Sequence, residues 1–563
     1  MKTKNQSFAM MQKAVGFHQK GQIPEAERSY QDVLALDPRH ADALRLLGSL
    51  YFQWNKVGDA IGCFEKALKI QPHHPELLNN LGVALSSQGK IAEAITLYLE
   101  AVKISPNYLD AINNLANATF ASEKKDGALI WLRRSVALKP DAIEMLTKLG
   151  NLLREAGQSE EACKHYQRLA ELQPDDSNIH LNLGTLFHDM GKLPEALQHY
   201  EKALKLEPGS RDAMMNRAGL LIELNRPEEA WASYGRILSS DPHLSTAKWG
   251  KSMAMLMLGK YPDGWALYES RFDCKPMCDA VLFRASRWDG STLEGKRLLI
   301  WGEQGLGDVL QFIRYAALCK TKGGTIIVQC REPLVRLLKN CPFIDEVVTT
   351  ATKSDFDYQI PIMSLPHVFG TTLDTIPNTT PYVFVDEETR NKWAPHFVGA
   401  KDFKVGLVWA GNPRKNQLDA HVIDRQRSME LALLKPLFDI KNCQFYNLQK
   451  EDVSAEIKAN GLEEKLINLM PAVADFMDTA AIIENLDLVI SVDTSVVHLA
   501  GALGKPVWIL SRFGGCWRWL GNQKLNPWYP TAQIFGQPAP GDWKGSVNKV
   551  VSALQEKLMK HGH

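Results

Sequence analysis

The 563-residue chain has no apolar run of the roughly 18 residues that a membrane-spanning helix requires. It also lacks a dominant charge. Lys and Arg total 65, Asp and Glu 64, and the formal net charge is +1, so no global field selects nucleic acid or an anionic membrane. Cysteine is sparse, nine residues in all. Cys274 and Cys278 stand four apart around Pro276 with no second pair nearby, so zinc has no tetrahedral set and small-residue packing is the reading. The opening MKTKNQSFAMMQKAVGFHQKG is basic, but no apolar stretch follows it, so it is not read as a secretory signal. Unpaired thiols without such a signal point to the cytoplasm. The remainder is ordinary for a folded protein, 45% apolar and 23% charged. The chain is too long for one core, which implies two or three units.

What the first half does contain is a period. Prolines fall at Pro38, Pro72, Pro106, Pro140, Pro174, Pro208, Pro242 and Pro276, every interval being 34. Ala26, Ala60, Ala94, Ala128, Ala162, Ala196 and Ala230 repeat at the same interval, with Gly264 as the eighth member. A third series is Tyr30, Phe64, Tyr98, Leu132, Tyr166, Tyr200, Tyr234 and Tyr268, and Gly48, Gly82, Gly150 and Gly184 mark first helices. The pattern resembles the tetratricopeptide repeat, eight units from about residue 7 within a region 1–278. Each unit is expected to be two antiparallel helices. Small residues let them approach, the aromatic fills the gap to the neighbouring unit, and proline ends the second helix. Stacked units share a core and should wind into a right-handed superhelix with a concave groove.

Two residues before the first-helix Gly/Ala position stand Asn80, Asn114, Asn182 and Asn216, with Leu46 and Lys148 in the same slot elsewhere. An asparagine amide carries both donor and acceptor, as a peptide bond does. The row looks like the asparagine ladder of the O-linked N-acetylglucosamine transferase superhelix, which implies an extended polypeptide acceptor. Helix capping or bridging between helices is the other reading.

After Pro276 the period stops. Residues 279–296 read as a connector. Then RLLIW (297–301), a glycine-rich turn and VLQFIRYAALCK read as strand, turn and helix, followed by TIIVQC, EPLVRLLKN and EVV. A second set begins at KVGLVWAGN (404–412) and continues through LALLKPLF, QFYNLQK, DFMDTAAIIENL, DLVISVD, SVVHLAGALG and PVWILS to a helix near 545–560. This predicts two Rossmann-like α/β domains, 297–395 and 396–563, facing a cleft.

Two motifs stand at strand-to-helix turns. In Gly302-Glu303-Gln304-Gly305-Leu306-Gly307-Asp308 the glycines let backbone approach a ligand, while the aspartate suits a proton acceptor or simply matches the helix dipole. In Ser491-Val492-Asp493-Thr494-Ser495-Val496-Val497-His498, Asp493 and Thr494 can cap a helix whose free amides form an anion site, with His498 adding a donor or lying half-buried.

GDVLQFIRYA and DTSVVHLAGALGKPVW resemble the corresponding blocks of bacterial ADP-heptose:lipopolysaccharide heptosyltransferases, over about 297–545. The resemblance implies the GT-B fold and an inverting glycosyltransferase without metal or bound cofactor, whose donor is a nucleotide-diphosphate sugar. It implies Asp308 as general base, Thr494, Ser495 and His498 on the donor diphosphate, and Asp493 orienting that loop or a donor hydroxyl. Gly305, Gly307, Gly411, Asn412, Lys415, Asn416 and Arg427 join the donor set, with Arg425 and Ser428 close by. Lys450 stands at the end of QFYNLQK, where nucleotides sit. The sequence departs from the family at Asn412-Pro413-Arg414 and at an inserted-looking 417–423. Trp517-Arg518-Trp519, Trp528 and Tyr529 either stack on a ligand or pack the C-terminal lobe. The rival readings are a repeat scaffold with a degenerate transferase half, and a transferase acting on a glycan or lipid acceptor.

Overall fold

The computed structural model describes residues 2–122, 125–274, 285–351, 355–399, 402–411, 426–520 and 526–561. Among these, sixteen helices run from α1 (Lys2–Gln19) to α16 (Tyr261–Tyr268). Each pair follows one scheme. In α11 (Ser177–Asp189) the Asp176 side chain caps the start by accepting from the Asn178 amide, and Ile179, Leu183, Leu186 and Phe187 are buried at helical spacing. Gly191, at φ 73°, then takes the left-handed conformation that ends the helix. The partner helix α12 (Leu193–Leu206) buries Ala196, Tyr200 and Ala203 and stops two residues short of Pro208.

The aromatic rings share buried clusters with the next unit, Phe64 with Leu77 and Leu81 and Tyr30 with Leu47 and Leu50. Four of them also cover the glycine of their own repeat. A Cβ on Gly48, Gly82, Gly150 or Gly184 would lie 2.5–2.7 Å from the ring of Phe64, Tyr98, Tyr166 or Tyr200 respectively. Without that Cβ the two antiparallel helices close on each other and the ring is sealed between them. Tyr234 differs, its ring lying against Gly250 of the next first helix.

The chain forms two compact units, Met1–Ala213 and Met214–His563. The first holds the first six helix pairs. The second holds the last repeat helices together with the whole α/β part, so the period runs on past the point where the units divide. The final helix is curtailed: α16 has eight residues and passes into a 3-10 turn, Glu269–Asp273. Cys278 and Pro276 lie outside the described residues.

Two parallel sheets follow. The first takes the order β1 (Ser286–Arg287), β5 (Tyr358–Pro361), β2 (Arg297–Trp301), β3 (Thr325–Gln329), β4 (Glu346–Val348). The second takes the order β11 (Ala532–Gly536), β10 (Val507–Ser511), β9 (Leu488–Val492), β6 (Phe403–Val408), β7 (Cys443–Asn447), β8 (Leu466–Asn468). β9 and β10 are buried at every position, the continuous apolar reading of a strand covered on both faces. The chain runs outward from β6 through β7 and β8, then returns to β9 and runs the other way. The switch point therefore falls between β6 and β9, and a ligand crevice belongs at their carboxyl ends.

Some elements differ from their sequence reading. VLQFIRYAALCK is two helices, α17 (Leu306–Phe312) and α18 (Tyr315–Lys320), with buried Arg314 at the break bonding to the carbonyls of Gln311, Pro377 and Trp528. LALLKPLF forms 3-10 turns, because Pro436 supplies no amide for a regular helix. QFYNLQK ceases to be a strand at Asn447, so Lys450 lies in the loop beyond it.

The helix–helix approach gives a first test. Gly184→Val should destabilise the chain by about 2 kcal/mol, since the new branch meets Tyr200 inside a closed layer. Urea unfolding followed by circular dichroism, wild type against variant, measures it; an unchanged midpoint would contradict the packing.

Candidate functional site

The crevice and its surroundings lie within the second unit. β2 delivers the glycine-rich turn into α17, and β9 delivers Asp493 and Thr494 into α24 (Ser495–Ala502), numbering helices in chain order through α19 (Val335–Lys339), α20 (Leu365–Val368), α21 (Glu387–Trp393), α22 (Ser454–Ala459) and α23 (Phe476–Glu484). The two helix starts meet. A Cβ on Gly307 would lie 2.8 Å from Cδ2 of His498 and 3.4 Å from Cα of Ser495. The absence of a side chain at Gly307 is what allows this approach.

Asp308 sits in the first turn of α17. Its Oδ2 accepts from the Gly305 amide at 2.8 Å, and its Oδ1 is ion-paired with Arg518. Gly305 therefore spends its amide on Asp308 and holds the N-cap position of α17. The expected caps of α24 are not formed. Thr494 holds the N-cap position without a side-chain bond to the helix, its hydroxyl lying 3.1 Å from Ser491 Oγ. Asp493 turns away, accepting from Trp519 Nε1 at 3.0 Å. Among the described residues no side chain caps the opening amides of α24, and Asp493, Thr494 and Ser495 are half-buried.

His498 is buried, 5% exposed, which corrects the reading of it as half-buried. Its ring stacks on Trp519, and Nδ1 lies 3.0 Å from the Tyr529 hydroxyl. The hydroxyl of Tyr382 donates to the Leu310 carbonyl at 2.9 Å and lies 3.4 Å from the Tyr529 hydroxyl. Nε2 is the His498 ring nitrogen on the Gly307 side. Burial, then the charges of Arg518, Arg314 and Arg427, hold the His498 pKa well below the ordinary histidine value. Burial likewise keeps the Tyr529 phenol protonated.

On the β6 side, Gly411 packs against the Arg427 guanidinium, its amide donates to Ser428 Oγ at 3.0 Å, and Arg427 Nη1 donates to the Asp493 carbonyl at 3.1 Å. Gly411, Arg427 and Asp493 are thus gathered across the switch point. Asn412, Lys415, Asn416 and Arg425 lie outside the described residues. Lys450 sits on the same sheet edge, with Nζ donating to the Val473 carbonyl at 2.6 Å. Beside α17 a cavity of about 280 Å³ is lined by Gly302, Gln304, Leu306, Val309, Gln329 and Arg331, among others.

Several residues were not singled out from sequence. Arg271, in the turn after α16, is buried and grips Glu303 with two bonds of 2.8 Å, while Glu303 also accepts from the Met363 amide. Gln304 donates to the Tyr268 hydroxyl at 3.1 Å. The end of the last repeat thereby fixes the turn that carries Asp308. Arg518 was seen only as part of an aromatic cluster. That cluster packs the lobe: Trp517, Trp519, Trp528 and Tyr529 are all buried, and Trp265 of α16 meets Trp517 edge-on at 5.2 Å. The signal was present in the sequence as an arginine between two tryptophans, a charge in apolar surroundings that demands a partner.

The asparagine row is divided between the units. Asn80, Asn114 and Asn182 belong to the first and Asn216 to the second, and all are half-buried on first helices. Asn114 Nδ2 donates to Asn79 Oδ1 at 2.9 Å, so bridging between repeats describes that member. Lys148, in the same slot, bonds Asn117 and Glu144.

Comparison with known proteins agrees with both halves. Tetratricopeptide-repeat family models match residues 13–75, 63–96, 84–123, 141–208 and 187–256. The glycosyltransferase family 9 (heptosyltransferase) model matches residues 444–513, a span that holds Asp493 to His498 but neither Asp308 nor Arg518. The chain is thus similar to tetratricopeptide-repeat proteins over its first half and to a glycosyltransferase family over residues 444–513. Among particular relatives, protein FlbA of Caulobacter vibrioides is 28% identical over 323 residues, 51% of this chain and 51% of FlbA. The chain spans about half the length of that curated relative. Among solved structures, Pseudomonas aeruginosa pilF shares 22% identity over 39% of this chain and 99% of that one, with a TM-score of 0.33. YrrB, described as a TPR protein with an unusual peptide-binding site, shares 21% identity over 33% of this chain and 95% of its own, with a TM-score of 0.31.

The buried neutral His498 generates a pH test. Its folded pKa is depressed, so the unfolded chain binds the extra proton below about pH 6.5 and stability is lost as pH falls through that range. Between pH 6 and 5 the unfolding free energy of wild type should fall more steeply than that of His498→Gln, by up to about 1.4 kcal/mol per pH unit. Parallel slopes in chemical denaturation would refute it.

Proposed function

We propose that the protein is an inverting, metal-independent glycosyltransferase that moves a sugar from a nucleotide-diphosphate donor to a hydroxyl on a polypeptide. The observation that carries this reading is the meeting of the α17 and α24 starts at Gly307, with Asp308 on one and uncapped amides on the other. In this reading the diphosphate lies on the opening amides of α24, with the Thr494 and Ser495 hydroxyls beside it and His498 in the tautomer that carries its proton on Nε2. Arg427 adds positive charge from the β6 side. Negative charge grows on the departing diphosphate, and fixed amides and a guanidinium aimed there lower the barrier without reorganising.

Asp308 takes the proton of the acceptor hydroxyl as that oxygen attacks the anomeric carbon from the face opposite the leaving group. The two bonds on its oxygens leave lone pairs for that proton. The repeats supply the grip on the acceptor chain, through amides such as Asn80 and Asn182. A cytoplasmic setting accompanies the reading, since it needs free nucleotide sugar; no described helix is long and apolar enough to cross a membrane.

Asp308→Asn should cut transfer by roughly 10²–10⁴-fold while leaving donor affinity nearly unchanged, measured by product formation from a panel of nucleotide sugars. Turnover equal to wild type would remove Asp308 from the mechanism. On the acceptor side, Asn80→Ala with Asn182→Ala in the full chain should weaken binding of unstructured peptides about tenfold by calorimetry, the sum of two net hydrogen bonds. Undiminished binding would move the acceptor off the repeats.

A further inference from the structure

The geometry points to Arg518 as the positioning residue for the Asp308 carboxylate, an inference that rests on reading Asp308 as the general base. Arg518 is the centre of the 3-10 turn Trp517–Trp519, which follows β10 and closes on Leu520 in the left-handed conformation. Each of its three guanidinium nitrogens has a partner. Nη2 is bonded to Asp308 Oδ1, Nε donates to Gln311 Oε1 at 2.8 Å, and Nη1 donates to Cys516 Sγ at 3.3 Å. Asp308 and Gln311 lie three residues apart on one face of α17, so the fork grips the helix at two points. With Oδ2 tied to the Gly305 amide, both carboxylate oxygens are anchored and the side chain cannot rotate freely.

The flanking tryptophans explain why this turn is suited to the task. The guanidinium lies 4.3 Å from the centre of the Trp517 ring, and Trp517 packs edge-on against Trp265 of the last repeat. Trp519 points the other way, donating to Asp493 and stacking on His498. Three consecutive residues therefore tie the last repeat, the base and the donor loop into one piece. The Arg518–Asp308 pair joins the second α/β domain to the first, and its side chains keep 14% and 16% exposure, so it is reached by solvent in part. Burial works against the Arg518 charge, and the Asp308 carboxylate is the foremost group that sustains it. Arg518 spends these bonds on Asp308, Gln311 and Cys516, and its proposed action is through Asp308. A base displaced by an ångström loses about a hundredfold in rate.

The test compares full-length wild type, Arg518→Gln, Arg518→Lys, Asp308→Asn and the Arg518→Gln/Asp308→Asn double variant. Each is assayed with a nucleotide-sugar panel for kcat and donor KM, with thermal melting as a check on folding. Arg518→Gln should lower kcat by about 10–100-fold and leave donor KM within about threefold. Arg518→Lys, which keeps one charged donor, should recover part of the loss and stays informative if the Gln variant melts early. In the Asp308→Asn background the Arg518 change should cost nothing further, which a merely structural role would not produce. Wild-type turnover in Arg518→Gln, an undiminished loss in the Asp308→Asn background, or an effect confined to donor KM would each overturn the positioning role while leaving the base in place. An inactive wild type, or an Asp308→Asn enzyme as fast as wild type, would overturn the base and the positioning role together.

Discussion

Two helices that begin at adjoining points bring two positive dipole ends together, an arrangement that calls for negative charge. The contact of α17 with α24 at Gly307 is such a point, and the rest of the site follows from it. One carboxylate, Asp308, is held in the first turn of α17, and another, Asp493, stands just before α24. Arginines border the same space, with Arg518 on Asp308 and Arg427 on the Asp493 carbonyl. The two helix starts thus sit in a small field of fixed opposite charges.

That contact is supported from behind by the last repeat. Trp265, Tyr261 and Tyr268 lie in the same buried cluster as Phe312, Trp517 and Trp528. The buried Arg271 and Glu303 are acceptable there only because each satisfies the other and both have further hydrogen bonds. The eighth unit is consequently curtailed: its second helix gives way to a turn that delivers Arg271 to the loop before Asp308. A repeat that would otherwise end the array has become a wall of the α/β part.

Much of this was legible beforehand where it rested on local rules. The 34-residue period gave the helix pairs, because helix ends and close approaches are set by proline and small residues a few positions apart. Alternating strands and helices gave two parallel sheets, and the two strand-to-helix motifs were placed at the right turns. Readings failed where a partner distant in sequence decided the outcome. His498 is buried because Trp519 and Tyr529 fold over it, and Gly305 is occupied because Asp308 turns back to its amide. Asn114 looked like one rung of a row and spends its amide on Asn79 of the preceding repeat. The strands at Ser286–Arg287, Tyr358–Pro361, Leu466–Asn468 and Ala532–Gly536 went unread.

The sequence by itself determined the repeat, the order of the elements and the two turns where chemistry could sit, since these depend on spacing and on the conformational limits of glycine and proline. Only the tertiary structure decided that those turns face each other, that the eighth repeat is built into the second unit, and that an arginine between two tryptophans is the partner of Asp308. The reason is that pairing between residues some two hundred positions apart leaves no periodic trace along the chain. It is fixed by which buried charge must find which neighbour once the cores have closed.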